Sequence, residues 1–198
     1  MKLVKTLELK EIKEIYYSHM QEAFPQSELR PYKNIELLSK RGHYECYGLY
    51  EDTDLLAYAF FAKAENGSYC LLDYYAVLDG LRGKGIGSHF FPLLREKMEH
   101  TNGFLIEVES VESTNDENEK QVRRRRIAFY EKNGNIMTKV KCLLYGVDFN
   151  IMLQPISAPV PSDEETLYEL EQIYHTMFDD ELYLRVCHPS IQQIFNAN

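Results

Sequence analysis

The residues that could do chemistry are concentrated first in a glycine-rich turn, Arg82-Gly83-Lys84-Gly85-Ile86-Gly87. Glycines let the backbone approach a ligand closely, and consecutive backbone N–H groups can then converge on one anion. A helix that begins directly after such a turn adds the positive end of its dipole. Arg82 and Lys84 contribute formal positive charge. The turn therefore predicts a binding site for a pyrophosphate group.

Two other glycine-rich phosphate motifs fit this turn poorly. A Walker loop requires the spacing GxxxxGK[ST], which this turn lacks. A Rossmann GxGxxG turn is a poor match because the last two glycines are too close together and because three predicted strands precede the turn. A plain tight turn would use the same residue types, so the turn needs support from the elements around it.

Those elements follow from hydrophobic periodicity and turn residues. Steps of three and four predict a helix over residues 9–23, and a second short helix is expected over 31–41. Before the turn, runs of aromatic and aliphatic residues predict three largely antiparallel strands, at 43–50, 55–64 and 69–77.

After the turn, the pattern alternates between helix and strand. It predicts a helix at 87–99 that contains Pro92, a strand at 104–109, a polar loop at 110–120, a helix at 121–132, and a strand pair at 136–145 and 147–153. The strand–helix–strand unit implies one parallel pair with a right-handed crossover. The predicted fold class is α/β, with a mixed, mostly antiparallel sheet and helices on both faces.

A break in the chain separates a C-terminal extension from this predicted domain. Prolines at 155, 159 and 161 precede Ser162, which with Glu165 forms a capping-box start for a helix. We therefore expect a main domain at residues 1–154 and a helical extension at 155–198. The apolar face of that helix must be buried, either on the main domain as a docked tail or against a second copy in a homodimer.

Composition excludes several classes of protein. The 22 Lys and Arg residues against 31 Asp and Glu residues give a formal charge of −9, which suits a nucleic-acid binder poorly. The sequence has no apolar run long enough to span a membrane and no signal-peptide pattern, so we expect a cytoplasmic protein. The four cysteines and six histidines lack metal-ligand spacing, which predicts buried thiols and no metal site.

Two motifs together resemble the GCN5-related N-acetyltransferase (GNAT) family. Arg82-x-x-Gly85-x-Gly87, between a strand and a helix, resembles the family's acetyl-CoA signature. The segment 126–134 resembles its second helix motif, which ends in FYxxxG, and the element order agrees over most of residues 1–154. The resemblance implies direct transfer of the acetyl group of acetyl-CoA, as co-substrate, to a primary amine of a small molecule or peptide.

The resemblance also implies which residues hold coenzyme A (CoA). They lie at the end of one strand and in the turn: Tyr75, Ala76, Val77, Arg82, Gly83, Lys84, Gly85, Ile86, Gly87 and Ser88. The pantetheine arm would add to residues 75–77, where two parallel strands splay apart, and the N–H of Tyr75 would polarise the thioester carbonyl. Tyr130 would protonate the departing thiolate; outside this motif it would be taken for a core aromatic.

The reaction needs a base for the attacking amine. Glu107 and Glu109 are the main candidates, because residues two apart on a strand share one face and a carboxylate on a buried strand must be paired or functional. Asp73 is a third candidate. Either glutamate could instead pair with the arginines at 123–126.

Several features leave alternatives open. Many family members carry Asn seven residues before the tyrosine, where this chain has Arg123. The acidic residues at 112, 116, 117 and 119 could attract a cationic amine or form an ordinary exposed loop. The chain could also be a non-catalytic CoA-binding sensor, or an RNA-directed acetyltransferase that uses the arginines at 123–126, although its net negative charge disfavours RNA.

Overall fold

The computed structural model describes residues 1–26 and 28–192. Within them, eight strands form one sheet in the order β1-β2-β3-β4-β5-β7-β6-β8. Their bounds are β1 Lys2–Thr6, β2 Tyr44–Glu51, β3 Asp54–Lys63, β4 Tyr69–Val77, β5 Gly103–Glu109, β6 Ile136–Leu144, β7 Val147–Pro155 and β8 Cys187–Ile191. The predicted mixed, mostly antiparallel sheet is therefore confirmed.

The parallel pair β4–β5 is short, and this determines where a site can form. The two strands pair only from Tyr69 with Gly103 to Leu72 with Ile106. Beyond that point the two strands separate, because β4 continues along β3 and β5 continues along β7. The opening between them, after Leu72 and Ile106, is called the splay. Asp73 is an extra residue at a bulge in β4, because Phe60 pairs with Tyr74 and Phe61 with Leu72. A bulge bends its strand and re-aims side chains, here at the start of the splay.

Helices cover both faces of the sheet. They are α1 Leu9–Ile15, α2 Gln21–Ala23, α3 Tyr32–Lys40, α4 Ile86–Lys97, α5 Glu117–Lys132, α6 Asp163–Met177 and α7 Asp180–Val186. One core cluster joins the sheet to α4 and α5, with Phe91 and Tyr130 among its members. The other joins the opposite face to α1, α3 and α6, with Ile35 and Leu170 among its members.

The C-terminal extension packs into the same molecule and contains a strand that the sequence did not predict. The apolar face of α6 is fully buried at Leu170, Ile173 and Tyr174. Strand β8 then pairs antiparallel with β6 and forms one edge of the sheet. The apolar face of α6 is thus covered within one chain.

Local differences from the sequence predictions have simple causes. Strand β1 was missed because only Val4 of its five residues is buried, so its alternation is weak. The first predicted helix contains a π-helical turn at Tyr16–Met20. The loop predicted at 110–120 is shorter, because Asp116 caps α5 by accepting hydrogen bonds from the N–H groups of Asn118 and Glu119.

Candidate functional site

The glycine turn adopts the conformation that anion binding requires. Gly83 and Gly85 have φ values of 76° and 77°, in the left-handed region that favours glycine. Gly85 is the N-cap of α4, and no side chain caps this helix. The N–H groups of the first turn, at residues 86–88, have no acceptor within the helix. The turn therefore presents free donors and the positive end of a 12-residue helix.

The side chain of Tyr75 fixes the start of this helix, in addition to the role expected for its backbone. The Tyr75 hydroxyl donates a 2.7 Å hydrogen bond to the carbonyl oxygen of Gly87. The Tyr75 ring stacks on Phe90, with ring centres 5.8 Å apart and planes 18° apart. A Cβ on Gly87 would lie 3.4 Å from the Tyr75 hydroxyl oxygen, so the tyrosine packs closely against the turn. Tyr75 therefore ties the open end of β4 to α4.

A cleft of about 490 Å³ opens beside the turn. Most residues predicted to hold CoA line it, whereas Ala76 and Lys84 do not. The lining residues are Tyr75, Val77, Leu81, Arg82, Gly83, Gly85, Ile86, Gly87, Ser88, Arg126, Phe129 and Tyr130. The cleft thus brings the turn, the end of β4 and the second motif on α5 together.

The backbone of β4 offers donors along its open edge. The N–H of Leu78 donates to the carbonyl of Leu56, next to β3. Because N–H groups alternate sides along an extended strand, the N–H of Ala76 also points toward β3. The N–H groups of Tyr75 and Val77 then point toward the splay, where β5 has separated. This geometry suits strand-like binding of an extended ligand arm at Tyr75 and Val77, but not at Ala76.

Tyr130 lies at the C-terminal end of α5 and lines the cleft. Burial raises the pKa of its hydroxyl to about 12, although the positive charge of Arg126 partly offsets this. The helix end that carries it is fixed, because Asn135 donates to the Tyr130 carbonyl from its backbone N–H at 3.1 Å and from its side chain at 2.7 Å. Gly134, with φ of 87°, supplies the left-handed residue of this terminus.

Glu107 lies on the opposite face of the sheet, just past Ile106, the last residue of β5 that pairs with β4. Its carboxylate accepts a hydrogen bond from the hydroxyl of Tyr174 on α6. Burial raises the pKa of Glu107 to about 7, against the lowering effect of that hydrogen bond. Asp73 adds a further rise, and Arg30 a further lowering, of the same pKa. Glu107 is therefore a carboxyl that can exchange a proton near neutral pH.

Glu109 has a different environment, although it lies on the same strand. Its two carboxylate oxygens lie 3.0 Å from a terminal nitrogen of Arg123 and 2.8 Å from one of Arg126. Arg123 also donates to the carbonyl of Ser110 at 2.6 Å. Glu109 thus joins β5 to α5. Neighbouring Arg124 and Arg125 are exposed and have no carboxylate within 4.0 Å among the described residues.

The acidic residues that precede and begin α5 are engaged locally. Asp116 caps the helix, Glu117 lies 2.7 Å from Lys120, and Glu119 lies 3.5 Å from Arg123. Glu112 accepts a hydrogen bond from the Ser110 hydroxyl. Asp116, Glu117 and Glu119 therefore have partners on α5 itself, whereas Glu112 is held by the segment before it.

Comparison with known proteins identifies the family. The model of the acetyltransferase (GNAT) family matches residues 9–134. The chain belongs to this family. The Bacillus subtilis (strain 168) protein YjbC is 26% identical to this acetyltransferase over 171 residues, which cover 85% of each chain. Family, fold class and enzyme class are thus as the sequence predicted.

Solved structures share the fold of this acetyltransferase. The ribosomal-protein-S18-alanine N-acetyltransferase of Escherichia coli aligns with a TM-score of 0.59 and 21% identity, over 81% of this chain and 97% of that one. A Bacillus subtilis acetyltransferase in complex with CoA aligns with a TM-score of 0.53 and 12% identity, over 79% of this chain and 99% of that one.

The family uses acetyl-CoA, and the glycine turn fits its diphosphate. Left-handed glycines, uncapped helix donors and the Arg82 side chain at the cleft provide the charge and the close approach that a diphosphate needs. Within residues 1–26 and 28–192, no group of three or more His, Cys, Asp or Glu side chains could hold a metal ion. No helix in that part of the chain is long and apolar enough to cross a membrane.

Proposed function

We propose that this acetyltransferase transfers the acetyl group of acetyl-CoA directly to a primary amine of a small molecule or peptide. The observation that carries the proposal is the splay between β4 and β5. Tyr130 lies in the core cluster on one face of the sheet, and Glu107 faces α6 on the other. A thioester at the splay could therefore meet the acceptor from one side and a proton donor from the other.

The first motif would hold the co-substrate. The N–H groups of residues 86–88 and the left-handed turn at Gly83 and Gly85 would bind the diphosphate. The N–H groups of Tyr75 and Val77 would bind the pantetheine arm and the acyl carbonyl. Bound acetyl-CoA supplies the activated acyl group, and these residues of the chain fix its position.

Glu107 is the base that the geometry favours. A base works best when its pKa lies near the working pH, and the pKa of Glu107 is about 7. Glu109 is less suited, because both of its carboxylate oxygens are already engaged by Arg123 and Arg126. We therefore assign proton removal from the amine to Glu107, and the joining of β5 to α5 to Glu109.

Tyr130 is the corresponding acid. With a pKa of about 12, its hydroxyl remains protonated at neutral pH, so it is present in the form that a proton donor to the departing sulfur requires. The balanced step forms one N–C bond and breaks one C–S bond. The amine proton goes to Glu107, and the tyrosine proton goes to the thiolate.

A thiol-release assay with a panel of primary amines tests this function. We expect acetyl-CoA-dependent thiol release with at least one amine, and a 10²-fold or greater loss of kcat in Glu107→Gln and in Tyr130→Phe, roughly as expected for a lost acid or base. Calorimetry with CoA should show that both variants still bind it. Glu164→Gln, on the exposed start of α6, is the matched control and should retain activity.

The alternatives give different results in the same experiments. Tight binding of acetyl-CoA without thiol release on any amine would favour a sensor. An RNA-directed enzyme should show salt-dependent RNA binding that Arg124→Ala and Arg125→Ala weaken, because Arg123 and Arg126 are held by Glu109. A cytoplasmic location and a homodimer remain predictions.

A further inference from the structure

A hydrogen bond connects the proposed base to the C-terminal part of the chain. Tyr174 lies on α6, its side chain is fully buried, and its hydroxyl donates to Oε1 of Glu107. Among the described residues, no other side chain donates to this carboxylate. The contact joins residues 67 positions apart. Tyr174 also lies outside residues 9–134, the part that the family model matches.

The remaining neighbours of Glu107 make this one donor important. Tyr174 on α6 contacts it directly, and the other titratable groups near enough to act on its charge are Asp73 on β4, Arg30 before α3, Cys142 on β6 and Cys187 on β8. Asp73 favours a protonated Glu107. Arg30 favours an ionised Glu107, but its guanidinium pairs with Asp73, at 3.5 Å. A carboxylate that is largely withdrawn from water needs hydrogen-bond donors to remain ionised.

The position of the Tyr174 hydroxyl is well fixed. The ring is held by the buried face of α6, which includes Leu170 and Ile173, and it lies 5.9 Å from the ring of Phe178. A capping box at Ser162 and Glu165 fixes the start of the helix. The donor therefore reaches Glu107 from a rigid element rather than from a loop.

We propose that Tyr174 is a positioning residue for catalysis. Its hydroxyl orients the Glu107 carboxylate toward the splay and stabilises the ionised form that accepts the amine proton. The C-terminal extension then completes the active site as well as the sheet. This inference rests on the proposed role of Glu107 as the base.

Tyr174→Phe tests the proposal because it keeps the ring and removes only the donor. Without the hydroxyl, the pKa of Glu107 should rise, and the acidic limb of the kcat/KM–pH profile should move to higher pH by about one to two units. At pH values well above this limb, kcat/KM of the variant should return to within a fewfold of the wild-type value. Tyr168→Phe, on the exposed face of the same helix, is the control and should not move the limb.

A purely structural role predicts a different outcome. Loss of packing would lower kcat/KM by the same factor at every pH and leave the limb in place, and this result would overturn the proposal. Carboxyl titration by infrared difference spectroscopy provides a readout that does not depend on turnover. The Glu107 band is identified by its absence in Glu107→Gln, and its midpoint should be higher in Tyr174→Phe.

The two readouts separate this inference from the proposed function. If no amine supports thiol release but the infrared midpoint moves, the function fails while the effect of Tyr174 on Glu107 stands. If activity is present and neither the limb nor the midpoint moves, the inference fails alone. If Tyr174→Phe does not fold, the contact can be tested in the wild-type protein by NMR. The ¹³C chemical shift of the Tyr174 ring carbon that bears the hydroxyl must then change with pH as Glu107 titrates. A shift that does not vary with it would refute the contact.

Discussion

The Tyr75 hydroxyl and the Gly87 carbonyl oxygen are 2.7 Å apart, so a side chain of β4 holds the first turn of α4. The same planar peptide unit that carries the Gly87 oxygen also carries the N–H of Ser88. Tyr75 therefore sets the direction of one of the donors that would bind the diphosphate. Its backbone N–H faces the splay at the same time, so one residue positions both ends of the proposed CoA site.

Replacing Tyr75 by Phe should weaken CoA binding. Loss of the hydrogen bond frees the peptide of Gly87 and Ser88, and we expect the dissociation constant measured by calorimetry to rise several-fold. The free energy of unfolding should fall by about 1 kcal/mol, as for a typical hydrogen bond. Tyr47→Phe is the control. The Tyr47 hydroxyl donates a 2.9 Å hydrogen bond to Glu45, and this contact does not involve the turn. Equal CoA affinity in both variants would argue against this role.

The left-handed glycines provide a test of the turn itself. Gly85 and Gly80 have φ values of 77° and 73°, and an added Cβ would have no atom within 4 Å at either position. Gly85→Ala and Gly80→Ala should therefore each lower the free energy of unfolding by about 1–2 kcal/mol through backbone strain alone. Only Gly85 lines the cleft, so Gly85→Ala should also lower CoA affinity by tenfold or more. A CoA dissociation constant that is the same in both variants would mean that the turn does not bind the diphosphate.

Much of the fold could be predicted because its signals are local. The turn at 82–87 and the FYxxxG motif are contiguous in sequence, and the central strands β3 and β4 are dense in buried aromatic residues. The edge strands were missed for physical reasons. Strand β1 is mostly exposed, and β8 contains Pro189, which a sheet tolerates at its edge but which weakens a strand pattern.

The site was harder to predict because the role of each carboxylate depends on partners that are distant in sequence. Glu107 and Glu109 are equivalent in sequence, and only the fold distinguishes them. Glu107 accepts a hydrogen bond from Tyr174, 67 residues away, whereas Glu109 pairs with Arg123 and Arg126 on α5. No periodicity specifies such contacts, so the sequence could name both carboxylates but not choose between them.

Stability should depend on the protonation of Glu107. The pKa of Glu107 is about 7 in the folded protein against an ordinary value of 4.5, so the folded state binds more protons between these two pH values. The free energy of unfolding therefore falls as pH rises through this window, and the contribution is lost above about pH 7. Glu107→Gln is neutral at every pH, so its stability relative to wild type should increase from pH 4.5 to 7.

Denaturant unfolding at a series of pH values checks this linkage. The difference curve between Glu107→Gln and the wild type should rise through the window and flatten on either side. Glu164→Gln removes a charge from an exposed position on α6, so its difference curve should not rise in the same way. A flat difference curve for Glu107→Gln would show that folding does not perturb this carboxyl, and it would remove one support for Glu107 as the base.

The arginine run provides a comparison between adjacent residues. The Arg123 side chain is 11% exposed and contacts Glu109 and the carbonyl of buried Ser110, whereas Arg124 is exposed. Arg123→Ala leaves a partly buried carboxylate with one fewer partner, and should lower the free energy of unfolding by about 2–3 kcal/mol. Arg124→Ala should stay within about 0.5 kcal/mol, because Arg and Ala have similar helix propensities and no buried contact is lost.

Urea unfolding of the two variants decides between two roles for the run. If Arg123→Ala is the less stable by the expected margin, Arg123 joins α5 to β5 and so helps to hold Tyr130 and the splay in register. The run is then divided between structural and exposed members, and it cannot act as one continuous surface for a phosphate backbone. Equal stabilities would contradict this division and would reopen the interpretation of residues 123–126 as a single basic patch.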